Sequence, residues 1–105
     1  MSEQAVIVEF QYGSRDLGQL FELEDKLESA IAEASVGEYD GNEIAVDGSE
    51  GSLYMYGPDA DKLAAVVRPI LEKAPFMRGA RMTLRYGAAD DLEAREEVIE
   101  LGAAR

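Results

Sequence analysis

Apolar residues alternate with polar ones in four short runs and recur at helical spacing in three longer stretches. The alternating runs lie in "MSEQAVIVEF", near Glu43–Asp47, near Ser52–Tyr56 and in Ala80–Tyr86. The first helical stretch is expected from about Asp16 to Ser35, with Leu17, Leu20, Phe21, Leu27, Ile31 and Ala34 as its apolar stripe. Asp16 with Gln19 resembles a capping box, and Gly37 is placed to end that helix. The second helix is expected to start near Pro58 and stop at Pro75, burying Leu63, Val66, Val67, Ile70 and Leu71. Pro69 falls inside it and should kink it, because proline lacks the backbone donor that the helix uses. The third and shortest is expected from Asp90 to Leu101, with Leu92, Val98 and Ile99 on its apolar side.

One phrase recurs at the strand ends: "FQYGSRDL", "YMYGPDADKL" and "LRYGAADDL". Each couples Tyr-Gly to an aspartate-bearing loop and a leucine. Glycine turns the chain, and aspartate suits a helix cap or first turn. "YGPDAD" therefore reads as a strand-to-helix joint, with Tyr56 kept as a candidate contact residue.

Strand, helix, strand, strand, helix, strand describes an α+β chain of a single domain, residues 1–105. The expected architecture is ferredoxin-like βαββαβ: an antiparallel sheet with two helices on one face, plus a short C-terminal helix. Alternation then sorts the side chains. Val6, Val8, Phe10, Ile44, Val46, Leu53, Met55, Met82 and Leu84 should face the helices. Ile7, Glu9, Gln11, Glu43, Asp47, Tyr54, Tyr56, Arg81, Thr83 and Arg85 should lie on the opposite, open face. Tyr and Arg are frequent anchors of binding surfaces, so Glu9, Gln11, Glu43, Asp47, Tyr54, Tyr56, Arg81 and Arg85 form the candidate binding set. Cross-strand ion pairs on a solvated face, or burial of that face under the terminal helix, are the structural alternatives.

The segment "LYMYGPDADKLAAVVRPILEKAPFMRGARMTLRYG", Leu53 to Gly87, resembles a group of small uncharacterised bacterial proteins. The resemblance covers about a third of the chain. It implies a fold and carries no transferable activity.

Charge changes the picture next. The 22 Asp and Glu against 10 Lys and Arg give a formal net charge of −12. Phosphates and anionic lipids are held by cationic side chains, so neither nucleic acid nor a membrane surface is an expected partner. A basic protein would be attracted, although acidity also serves solubility alone. No apolar run approaches the roughly 20 residues of a membrane helix, and the start lacks a basic-then-apolar signal, so a cytoplasmic location is expected. Cys and His are both absent. Disulfides, thiolate nucleophiles, most zinc, copper and iron sites and the usual general base near neutral pH go with them.

The remaining chemistry is thin. "DGNE" at Asp40–Glu43 and "DGSE" at Asp47–Glu50 place oxygen ligands on expected turns, but neither follows the calcium-loop spacing, so no metal or cofactor is implied. Carboxylates at the helix starts oppose anion binding; "YGSRD", Tyr12–Asp16, is the least unfavourable place for one. No catalytic pair of acids stands out. The expectation is a small acidic binding protein acting through protein–protein contacts, in the manner of an immunity or antidote partner of a basic protein. The alternative is a small-molecule sensor or a carboxylate enzyme using the open sheet face. A homodimer through that face or an edge is also expected.

Overall fold

Alternation in "AVIVEF" places Val6, Val8 and Phe10 in the interior and leaves Glu9 exposed, as an extended strand requires. The computed structural model describes residues 3–13, 16–88 and 91–101. Its elements are β1 (Gln4–Gln11), α1 (Gly18–Ala34), β2 (Glu38–Ile44), β3 (Glu50–Gly57), α2 (Ala60–Glu72), a 3₁₀ turn at Pro75–Met77, β4 (Arg81–Arg85) and β5 (Glu96–Glu100). All strand pairs are antiparallel, in the order β2-β3-β1-β4-β5. The protein is thus α+β, with a five-stranded antiparallel sheet and two helices, compatible with a ferredoxin-like fold.

One core joins sheet and helices. Val6, Val8, Leu53, Met55, Met82 and Leu84 from the strands meet Leu20, Leu27 and Ile31 of α1 and Leu63, Val67 and Leu71 of α2. Burying side chains of this size contributes roughly 1.5–3 kcal/mol each before the entropy of ordering is subtracted. No buried side-chain nitrogen or oxygen lacks a partner among the described residues.

The "YGPDAD" joint is built as a cap. Asp59, in extended conformation, accepts a hydrogen bond from the Lys62 N–H at 3.2 Å and serves as the N-cap of α2. Asp61, in the first turn, accepts instead from the Tyr86 hydroxyl at 2.6 Å. Pro58 precedes the helix and does not form its first turn. Gly57 is required by close approach: a Cβ there would lie 2.2 Å from the Val36 carbonyl oxygen. The opposing Gly37, at φ +150°, would bring a Cβ to 2.1 Å from the Tyr56 carbonyl oxygen.

Several expectations are corrected. No C-terminal helix forms over the described residues of 90–101; Asp90 lies outside them, and Glu96–Glu100 is β5. "EEVIE" alternates, with Ile99 packed against the core and Val98 on the other face. The exposed edge of β4 supplies ladder partners, and buried Leu101 anchors the end by donating its N–H to the Ala80 carbonyl at 2.8 Å. Leu92, counted as an apolar helix position, is 98% exposed. The hairpin strands run Glu38–Ile44 and Glu50–Gly57, so Val46 sits in the intervening turn, fully exposed, and does not face the helices. Helix α1 begins after Leu17, which makes no side-chain cap, while Asp16 accepts from the Gly18 N–H at 3.0 Å; there is no capping box. Leu23 takes the buried place expected of Phe21, and Ser35, at φ +54°, takes the left-handed position expected of Gly37.

Candidate functional site

The strand registers assemble the open face into three cross-strand rows. In the first, Glu43 lies beside Ser52, Ser52 beside Glu9, Glu9 beside Arg81 and Arg81 beside Glu100. The second runs Gly41, Tyr54, Ile7, Thr83, Val98. The third runs Glu38, Tyr56, Ala5, Arg85, Glu96. The middle row therefore carries no charge, and the rows on either side hold five carboxylates and two guanidinium groups between them.

Six of the eight candidate residues are brought together in this grid: Glu9, Glu43, Tyr54, Tyr56, Arg81 and Arg85. Gln11 shares their parity at the end of β1, opposite Glu50, beyond the three rows. Asp47 does not join them. Expected on a strand, it lies in the β2–β3 turn, where its Oδ1 accepts from the Ser49 N–H at 2.9 Å. Hydrogen bonds from the Ser49 side chain and backbone hold its carboxyl below the ordinary range. The turn consumes this carboxylate.

Tyr54 pairs across the ladder with Gly41, whose φ of +144° marks the bulge where β2 shifts register between Tyr39 and Gly41. Its hydroxyl donates to Glu43 Oε1 at 2.5 Å, and that bond is the main reason its pKa is raised. Arg81 approaches Glu9 at 4.0 Å with both side chains more than half exposed, so the pair contributes little to stability. Arg85 donates from Nε to the Gly87 carbonyl at 3.4 Å. A polar depression of about 460 Å³ opens beside the first row, lined by Glu9, Ser52, Arg78, Arg81 and Glu100.

The Tyr-Gly phrases serve different ends. Tyr12 donates to the Asp16 carbonyl at 2.5 Å, and its ring packs edge-on to Phe76 at 5.0 Å. Tyr86 follows β4 and leads into a turn and β5 where a helix was expected. Arg95 lies over its ring at 4.6 Å. The "YGSRD" candidate includes Ser14 and Arg15, which lie outside the described residues. Of the two acidic turns, "DGNE" lies within β2. Among the described residues no three acids come together in a group that could hold a metal ion, and no helix is long and apolar enough to cross a membrane.

Two features escaped sequence reasoning. Glu96, Val98 and Glu100 extend the open face because β5 is a strand; the adjacent β-branched pair Val98-Ile99 was the available signal. A groove of about 1030 Å³ also runs between α1 and the end of α2 with the turn that follows it, with Leu23, Ala30, Ile70 and Phe76 in it and Glu22, Glu33, Lys26 and Lys73 among its charged lining. It arises where the segment after α2 packs beside α1, a nonlocal meeting that no local pattern encodes. No protein-family model, curated protein or solved structure matches the sequence.

Proposed function

We propose that the protein is a ferredoxin-like binding module that acts through protein–protein contacts, taking a basic protein on the open face of its sheet. The observation that carries this reading is the composition of the three rows. Tyr54, Ile7, Thr83 and Val98 offer a band with partly apolar surface, flanked by Glu9, Glu43, Glu38, Glu96 and Glu100 against Arg81 and Arg85. Apolar area with a tyrosine anchor supplies contact energy, and the surrounding acids select a cationic surface. The sheet order supports the ferredoxin-like assignment, with β5 added beyond β4. An antidote-like role toward a basic protein in the cytoplasm fits the same charge. No observation favours the sensor or carboxylate-enzyme reading over it.

The test compares two sets of neutralised acids in a binding assay against a basic protein fraction. Glu9→Gln, Glu43→Gln and Glu100→Gln together should abolish capture of a partner that the native protein retains. Glu22→Gln, Glu28→Gln and Glu33→Gln on α1 should leave capture intact. Equal loss from both sets would overturn the sheet face as the docking surface.

A further inference from the structure

The sheet has two edges, and they are built differently. β2 carries a bulge at Tyr39–Gly41, a device that twists an edge away from further pairing. β5 pairs with β4 in unbroken register from Glu96 to Glu100. Tyr86 donates to the Arg95 carbonyl at 2.9 Å and Leu101 to the Ala80 carbonyl at 2.8 Å, which fixes the hydrogen-bonding phase of this ladder. By the two-residue alternation of antiparallel pairs, Glu97 and Ile99 point their backbone groups at β4. Glu96, Val98 and Glu100 point theirs outward. Among the described residues no strand lies beyond them. The same three residues place their side chains on the open face, in register with Arg85, Thr83 and Arg81.

This edge discriminates between occupants. A second copy pairing antiparallel about Val98 would set Glu96 opposite Glu100 twice, and like charges directly opposed destabilise a sheet. A segment of the form Lys-x-Val-x-Lys, with arginine equivalent to lysine, would instead meet each glutamate with an opposite charge and cover Val98, which is 56% exposed, because residues two apart on a strand share one face. We propose that the outer edge of β5 binds a basic, extended peptide segment by strand addition, making Glu96, Val98 and Glu100 both the backbone and the side-chain recognition elements. The inference rests on the preceding reading and specifies how the basic partner would be held.

The test uses the whole chain, isotope-labelled, with the seven-residue peptide Thr-Lys-Thr-Val-Thr-Lys-Thr at millimolar concentration, and the same peptide with glutamate in place of lysine as control. Amide exchange at Glu96, Val98 and Glu100 should slow by about tenfold or more with the lysine peptide, while Glu97 and Ile99 change little. The acidic peptide should do nothing. Val98→Pro removes an outward donor without breaking a bond to β4, and should weaken binding by about fivefold to tenfold. Glu96→Gln with Glu100→Gln, which sets no like charge opposite Arg85 or Arg81, should weaken it about tenfold or more while leaving the fold, read by circular dichroism, unchanged. Binding that perturbs Tyr54, Ile7 and Thr83 but is indifferent to Val98→Pro would overturn strand addition and leave face docking standing. No binding of the lysine peptide, or concentration-dependent protection of the same amides in the protein alone, would overturn the inference. Failure of the preceding reading is registered separately, by equal loss of capture from the sheet and helix variants.

Discussion

Glu24 ties the first helix to the outer strand β2, and its removal gives a sharp test of what holds that edge. Its Oε2 accepts from the Tyr39 hydroxyl and also from Asn42 Nδ2 at 2.8 Å. Tyr39 is partly buried and packs against the core, whereas Asn42 is exposed. A hydrogen bond to a charged acceptor is worth about 1.5–3 kcal/mol, less where solvent competes. The Tyr39 bond should therefore contribute about 1–1.5 kcal/mol and the Asn42 bond a few tenths. Glu24→Ala should cost about 1.5–2 kcal/mol. Tyr39→Phe should cost about 1–1.5 kcal/mol, and the double variant should fall about 1 kcal/mol short of the sum. Urea denaturation of the four proteins measures this, with m-values expected to remain alike.

The same pair has an alkaline signature. Burial first, then the bond to Glu24, then the charges of Glu24 and Glu28, push the Tyr39 pKa well above its ordinary value of 10. The folded state thus keeps a proton that the unfolded state releases, so this contribution is whole below about pH 10 and is lost as pH climbs toward the folded value. Glu24→Gln should make that loss shallower. Strict additivity in the cycle would refute the bridge, and so would an alkaline profile unchanged by Glu24→Gln.

Other outcomes follow from the helices, from Tyr86 and from the acids of the open face. Pro69→Ala should stabilise the protein by about 1–2 kcal/mol in the same denaturation assay, because α2 runs unbroken through an exposed Pro69 and the Ala65 carbonyl gains a donor. A loss of stability would mean that packing requires the proline. Tyr86, whose pKa is pushed up to about 12 chiefly by its bond to Asp61, should titrate nearer 10 in Asp61→Asn when followed by tyrosinate absorbance. Its contribution to stability is present below pH 10 and lost as pH rises through about 12, so the variant should lack that alkaline decline. Association with a basic partner should slow steeply as salt shortens the Debye length below about 8–10 Å, while dissociation changes less. Neutralising Glu9, Glu43 and Glu100 should slow association more than neutralising Glu22, Glu28 and Glu33, as stopped-flow kinetics would show.

Much of the framework was readable because burial imposes short periods. Val6, Val8 and Phe10, or Leu63, Val67 and Leu71, can satisfy one core only as a strand and a helix respectively. The open-face set was legible for the same reason: once alternate positions go inward, Glu9, Tyr54 and Arg81 have one side left. The C-terminal stretch failed because Leu92, Val98 and Ile99 carry too little apolar area to distinguish periods of two and 3.6. The deciding influence was nonlocal: β4 had an edge to fill. Asp47 was misplaced for a different reason. Its side chain forms a turn with Ser49, and aspartate in such a place is indistinguishable by type from an aspartate presented to a partner.

The facing glycines 37 and 57 separate exposure from tolerance. Gly37 is solvent-exposed, yet even one methyl carbon there would meet the Tyr56 carbonyl oxygen at 2.1 Å. A mutational scan that ranks positions by accessibility would therefore misjudge it, scoring as permissive a site that excludes every side chain. The obstruction is reciprocal: Gly57 meets the backbone of Val36 in the same way, and both contacts lie where β2 begins and β3 ends. Enlarging either glycine would spread the two strands and disturb Tyr56 on the open face. Loss of partner recognition in a variant at Gly37 would then signal a displaced tyrosine, although the altered residue touches nothing outside its own chain.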